Sequence, residues 1–457
     1  MNQKGLVARR GLLLMAAFVL LFGASALLAE NDAFVPGGEG DGPSIDAAVS
    51  AGGRYVAFAS EATNLVSSDH NGLQDIFVHD RQTGDTARVS LGPGGAEPDG
   101  FSEWPAISAD GRYVAFTSSA TNLVPFDANM EPDVFVHDRE TGETTRVSVT
   151  SSGVQASGAS FEPAVSADGR YVVFTSSATN LDPADTDPAF DVYLHDRQTG
   201  ATELISFDAG GEYGVGFTSA PAVSADGRTV AFTTFAADVV AHDNNDVEDV
   251  FVRDRQTKKT TRVSVRSDGD EVFAESYEPS LSADGRYVAF WSYANELTDD
   301  GAGWWNVFLH DRQTGETTLI SRGAGGAAAD GGSSRPRLSA DGRTVVFESE
   351  ATNLTAGPDD NFASDVFLHD RQTGDTALVS VGAAGPGDGD SLRPAISPDG
   401  GFVAFHSDAA DLVPDDDNGT TDVFLRDRAA GATARVSLAA EEAEPLGETV
   451  FMAFVTR

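Results

Sequence analysis

In the stretch Asp133 to Val149, "DVFVHDRETGETTRVSV", a histidine, an aspartate and an arginine stand side by side as His137, Asp138 and Arg139. Imidazole beside a carboxylate is common equipment for general-base chemistry. Such a base is needed once, whereas this aspartate returns as Asp80, Asp138, Asp196, Asp254, Asp311, Asp370 and Asp427, every 57 to 59 residues. The histidine place is kept by His79, His137, His195, His310 and His369 but taken by Arg253 and Arg426 in the other two copies. A guanidinium stays protonated and cannot act as a base. No serine nucleophile is singled out and the chain has no cysteine, so the trio reads as hydrogen bonds and ion pairs that tie strands or blades together.

A second constellation repeats with it. Asp69, Asn71 and Asp75, Asp127, Asn129 and Asp133, Asp185, Asp187 and Asp191, and Asp243, Asn245 and Asp249 share one spacing. Asp359, Asn361 and Asp365, and Asp416, Asn418 and Asp422, continue it, and the fifth copy breaks it with Asp300, Ala302 and Asn306. Hard oxygens at first, third and seventh places match the start of an EF-hand loop and suit Ca²⁺. The glycine that loop needs at its sixth place is absent, and the next acid, Asp80 or its copy, is five residues along a strand, roughly 16 Å away at about 3.3 Å per residue. Two readings stay open: a looser Ca²⁺ site in one or more copies, or Asp and Asn fixing turns through backbone N–H groups.

The elements that must position these residues are legible in the second copy. Pro105 to Ser108, Tyr113 to Thr117, Val134 to His137 and Thr145 to Val149 are short runs of strand formers. Asp110-Gly111 is expected to be a two-residue type I′ hairpin turn, and Thr141-Gly142 closes a second hairpin. No helical periodicity appears. Four antiparallel strands in each of seven copies imply an all-β fold, a seven-bladed β-propeller of four-stranded blades, rather than an open solenoid.

The run "SADGRYVAF", Ser108 to Phe116, followed by "DVFVHD", resembles the WD40-like repeat of TolB-type propellers. The resemblance spans about residues 44 to 440 and implies the propeller fold; the α/β domain that precedes the TolB propeller has no counterpart, and there are seven repeats rather than six. Related propellers gate a hydrolase domain in prolyl-oligopeptidase-like enzymes, which is not seen here.

Function in such a ring is expected where the copies differ, at the channel mouth where the innermost strands begin. Counting outward from the Asp-Gly turn places Asp46, Trp104, Glu162, Ala220, Glu278, Arg335 and Arg393 opposite Ala59, Thr117, Thr175, Thr233, Trp291, Glu348 and His406. Blades 5 to 7 thus pair Glu278 with Trp291, Arg335 with Glu348 and Arg393 with His406. Tyr277, Arg337 and the Trp304-Trp305 pair add aromatic and arginine character suited to sugars, peptides or carboxylates.

The chain has 457 residues and a formal charge of −41, which disfavours nucleic acid and anionic lipid. Lys4, Arg9 and Arg10 precede an apolar run and the small residues Ala24-Ser25-Ala26, as in a secretory signal peptide cleaved after Ala26 or Ala29, or left as an anchor. Residues 1–29 therefore read as a signal, 30–43 as a Gly-rich flexible leader, and 44–457 as the propeller. Gly447 to Arg457 is expected to close the ring as a strand. The expected function is an exported, monomeric, non-catalytic propeller that binds a protein or an envelope or extracellular polymer. The alternative is a calcium-binding hydrolase or lyase on carbohydrate, with Glu162 and Glu278 as acid and base.

Overall fold

A computed structural model describes residues 38–440, apart from 184, 186, 187, 208–216, 242, 302, 358 and 360. The signal segment and the expected closing strand, Gly447 to Arg457, lie outside the described residues.

Every repeat folds into one antiparallel sheet whose four strands follow one another in sequence, and seven such sheets form the ring. In blade 2 the strands are Ser102–Ile107, Tyr113–Ser118, Asp133–Asp138 and Glu143–Arg146, from the channel outward. The second and third strands are apolar on both faces, because each face packs on a neighbouring blade. Phe116 and Phe135, fully buried and stacked 6.0 Å apart, join Ala57, Ala59, Ile76 and Val78 of blade 1, while Ala115 and Val136 join Val172, Phe174 and Tyr193 of blade 3. The core therefore lies between blades, as seven similar clusters.

The trio serves this architecture. His137 Nδ1 meets Thr144 Oγ1 of the outermost strand at 3.0 Å. Asp138 accepts from both Nε and Nη2 of Arg112, at 2.8 and 2.7 Å, and the bidentate pair holds its carboxyl down at about 2. Arg139 donates to the carbonyl of Gly111 at 2.7 Å and lies 4.0 Å from the ring centre of Tyr55 in blade 1. The pieces are thus joined as their repetition implies.

The Asp-Gly hairpin departs from the expected type I′ turn. Only Gly111 has a positive φ, of 75°, and Ser108 N–H and Tyr113 C=O bond at 2.9 Å around a longer loop. Ser108 Oγ accepts from Tyr113 N–H and donates to Asp110, so side chains take over bonds that a two-residue turn would make with backbone.

Residues Gly38 to Asp41, read from sequence as part of a flexible leader, are instead part of the ring. Glu39 bridges Leu438, Ala439 N–H donates to Gly38 C=O, and Ser44 N–H donates to Thr421 C=O. Blade 1 is thereby sewn to blade 7 without any exchange of strands between the described sheets.

Candidate functional site

The innermost strand of every blade breaks register at the same place. In blade 5, Tyr277 pairs with Trp291 and Ser280 with Ala289, leaving an extra residue on the inner strand. The bulged residues are Asp46, Trp104, Glu162, Ala220, Glu278, Arg335 and Arg393, all with φ between 49° and 54°. This corrects the expected pairing by one place. Glu278 does not face Trp291, Arg335 does not face Glu348 in register, and Arg393 does not face His406; the partners are Tyr277, Ser334 and Leu392. A β-bulge turns its side chain out of the ladder, and in six blades the next residue is proline, which has no N–H for the bulge to orphan.

The bulges aim a ring of side chains at the channel. Trp104, Glu162, Glu278, Arg335, Arg337 and Arg393 line one cavity of about 510 Å³, with Asp46 and the small residues of all seven inner strands completing its wall. Arg393 Nη1 reaches Asp46 at 2.6 Å, and Arg335 reaches Glu348 through Nη1 at 2.7 Å and lies 3.9 Å from Glu278 through Nε. The bulge N–H groups are bound across blade boundaries: Ala220 donates to Glu162 at 2.9 Å, Arg393 to Glu348 at 2.8 Å, and Asp46 to His406 Nδ1 at 3.4 Å. As acceptor in that contact His406 is neutral, and burial pushes its pKa down to about 4.

Charge is uneven around the mouth. Blades 6 and 7 supply Arg335, Arg337 and Arg393, and blades 2 and 3 supply Glu103 and Glu162. Burial, with Asp46 and Glu162 nearby, pushes Glu103 up to about 7, and burial raises Glu162 too, with Glu278 adding to the shift. Counting strands from the turn skipped Glu103, because it sits in the column Ile45, Glu103, Phe161, Ser219, Tyr277, Ser334, Leu392 that the bulge moves into register.

Two aromatic rows run outward from the mouth. Tyr277 lies tilted against Trp291 at 4.7 Å, followed by Tyr293, Trp305 and Trp304 at successive spacings of 5.5, 5.9 and 6.2 Å. Trp104, Phe161, Phe190 and Phe217 follow one another at 5.8, 6.0 and 5.3 Å. Tyr277 and Trp291 thus stand beside the cavity rather than in its wall.

The repeated Asp-x-Asn loops hold a cation of the protein's own in four blades. Arg262 Nη1 lies 3.0 Å from Asp243, 3.0 Å from Asp249 and 2.6 Å from Glu271. Arg88 serves Asp69, Asp75 and Glu97, Arg146 serves Asp127 and Asp133, and Arg435 serves Asp416, Asp422 and Glu39. Burial nonetheless pushes Asp69, Asp243 and Asp416 up to about 6. Asn71, Asn129, Asn245, Asn361 and Asn418 each accept from the backbone N–H two residues on, the turn-fixing role.

Where the outer strand carries leucine instead of arginine, other residues change with it. In blade 3, with Leu204, Tyr193 replaces phenylalanine and donates its hydroxyl to Asp185; Asp187 lies outside the described residues, and Asp191 accepts from Ser206 at 2.6 Å. In blade 5, with Leu319, Asn306 replaces aspartate. In blade 6, with Leu378, Asp365 is hydrogen-bonded by Asp359, Asn361 and Ser380, and burial raises its pKa.

No protein-family model matches the chain, and no curated protein does. Solved structures do. The chain is similar to the β-propeller domain of the trilobed protease from Pyrococcus furiosus, described as an open velcro topology, at 12% identity and a TM-score of 0.53, covering 90% of this chain and 98% of that one. It is similar to prolyl endopeptidase at 14% identity and a TM-score of 0.55, over 87% of this chain and 50% of that one, so it spans half of that enzyme's length. TolB from Acinetobacter baumannii matches at 15% identity and a TM-score of 0.40, over 80% and 77% of the two chains. These likenesses are of fold: the chain is a seven-bladed β-propeller.

Proposed function

We propose that this chain is an exported, non-catalytic binding module that docks a protein partner across the face holding the channel mouth. One observation carries the reading. All nine large hydrophobic side chains that stand exposed among the described residues lie in connections on that face. Phe126 and Met130 are in the blade 2 loop between second and third strands, Phe235, Tyr293, Trp304 and Phe362 in the same loops of blades 4 to 6, and Phe101, Val154 and Phe273 in loops entering blades 2, 3 and 5. Strand direction fixes the face, because first strands begin and second strands end beside the bulges. The opposite face carries the Asp-Arg hairpins.

The partner's chemistry follows from charge. In the connections of the docking face the sole basic residues other than histidine are Arg266 and Arg322, already paired with Asp268, Asp299 and Asp300, among many acids. A polypeptide segment with lysine or arginine between apolar side chains is complementary to it, and an acidic polysaccharide is not.

The test titrates the full chain with an amphipathic peptide of leucine and lysine and with its leucine-glutamate counterpart. The lysine peptide should bind more tightly by at least about tenfold and weaken as salt rises. Phe126→Asn with Phe362→Asn should lower its affinity several-fold without loss of stability, since both phenylalanines are 93% exposed and asparagine accepts their positive φ. Equal binding of both peptides, or no effect of the double variant, would overturn the reading.

A second reading, carbohydrate hydrolysis or lysis with Glu162 and Glu278 as acid and base, is favoured by the two carboxylates lining the same cavity, where burial raises the pKa of Glu162. It predicts turnover of a chromogenic glycoside that Glu162→Gln abolishes.

A further inference from the structure

One wall position of the channel breaks its own rule. The fifth residue of the innermost strand is Ala48, Ala106, Ala164, Ala222, Ser280, Arg337 and Ala395 in blades 1 to 7. Six blades use the smallest side chains where the channel is lined, and blade 6 sends a guanidinium into the cavity. Among the described residues its one hydrogen bond is from Nη1 to the carbonyl of the adjacent Pro336, at 2.9 Å. Among the described residues no carboxylate lies within 4.0 Å of it, although Arg335 and Arg393 beside it each hold one. Burial pulls its pKa down, Glu278 and Glu348 offset part of that, and Arg335 and Arg393 press it lower.

A cation taken out of water without a contacting counter-charge is costly, and five other blades show that alanine fits the place. A guanidinium offers five N–H donors in a planar fork matched to a carboxylate. Glu278 lines the same cavity with its side chain 32% exposed, and its nearest cation, Arg335 Nε, is 3.9 Å away, so the carboxylate is open to a donor brought by a ligand. Asp46, Glu278 and Glu348 around the arginines disfavour a dianion such as phosphate.

We infer that the channel holds a carboxylate-binding site in which Arg337 receives the carboxylate and Glu278 an N–H or O–H borne close to it, as in a free amino acid or the last residue of a peptide. This goes beyond docking across the face, since it assigns a ligand of its own to the channel.

Calorimetric titration of the full chain with trialanine, trialanine amide and free alanine tests it. Trialanine should bind at least tenfold more tightly than its amide, and the free amino acid arm separates the two sources: equal affinity for alanine marks an amino-acid site, and weaker affinity a peptide terminus. Arg337→Ala should lower trialanine affinity at least tenfold while leaving the melting temperature unchanged or higher, because it restores the residue of five other blades. Unchanged affinity in that variant, equal binding of acid and amide, or binding of neither alanine nor trialanine would overturn the site. Phe126→Asn with Phe362→Asn should leave trialanine binding intact, and Arg337→Ala should leave docking of the lysine peptide intact, so either proposal can fail alone.

Discussion

Glu39 accepts a hydrogen bond from Arg435 at 2.7 Å across 396 residues of chain, and the same oxygen accepts from the backbone N–H of Asp417. Glu97 does the same for Arg88 and the N–H of His70, and Glu271 for Arg262 and the N–H of Asn244, each within a single repeat and the loop after it. The beginning of the described chain therefore supplies blade 7 with the loop that the other blades receive from the residues that follow them. Glu39→Ala should lower stability by about 1–3 kcal/mol, the cost of leaving a buried charge short of a partner. It should also speed amide exchange in blades 1 and 7 above that of the other five. Glu97→Ala should cost as much locally and leave the seam alone. Identical exchange patterns for the two variants would remove Glu39 from ring closure.

Arg262 is the counter-ion of three carboxylates whose ligand atoms lie within 4.8 Å of one another. Arg262→Leu, which copies the outer-strand residue of blades 3, 5 and 6, strands those charges in a part-buried site and should destabilise by about 3–5 kcal/mol at neutral pH. The three oxygens left behind suit Ca²⁺. Melting temperature of the variant should rise on adding millimolar calcium and fall again with chelator, by more than in the parent chain. If calcium moves both proteins equally, the arginine is not what fills this loop.

Glu103 carries a pH prediction whose sign is fixed by its raised pKa. The folded chain holds a proton that the unfolded chain, with an ordinary glutamate near 4.5, has lost, so stability is full below that pH and falls as pH rises toward about 7. Glu103→Gln removes the ionising group and should make the protein more stable above pH 7, on the order of 1–3 kcal/mol after allowing for solvent screening. Melts of both proteins from pH 4 to 8 should diverge through that window. Parallel curves would show that Glu103 ionises as it does in water.

The fold was readable because each blade repeats one pattern of strand formers and turns, and because exchanges such as His137 for Arg253 told structural parts from chemical ones. The mouth was readable in composition but not in register. Strands count by twos, so the bulge at Glu278 and its six counterparts shifted every expected partner by one and hid Glu103. Periodicity carries no mark of a bulge other than the proline that follows it. The arginine of the cradles was missed for a different reason: Arg262 lies on the outermost strand, thirteen residues past Asp249, and leucine takes its place in three blades, so a search for oxygen ligands passed over it.

Glycine at the hairpin tips has two separable roles, and the repeat offers a controlled comparison. Gly111 and Gly142 share a positive φ, 75° and 72°. A Cβ on Gly142 meets nothing within 4 Å, whereas one on Gly111 would stand 2.1 Å from Tyr55 Cδ2 of the preceding blade. Gly142→Ala should therefore cost only the left-handed backbone strain, about 1–2 kcal/mol. Gly111→Ala adds overpacking against a ring held under Arg139, a further 1–3 kcal/mol. The excess should vanish in the background Tyr55→Ala, which removes the ring atoms that a Cβ on Gly111 would meet. In a double-mutant cycle read by thermal melts, a coupling of about 1–3 kcal/mol between positions 55 and 111 is expected. Additive losses would mean that the blades do not meet through this contact.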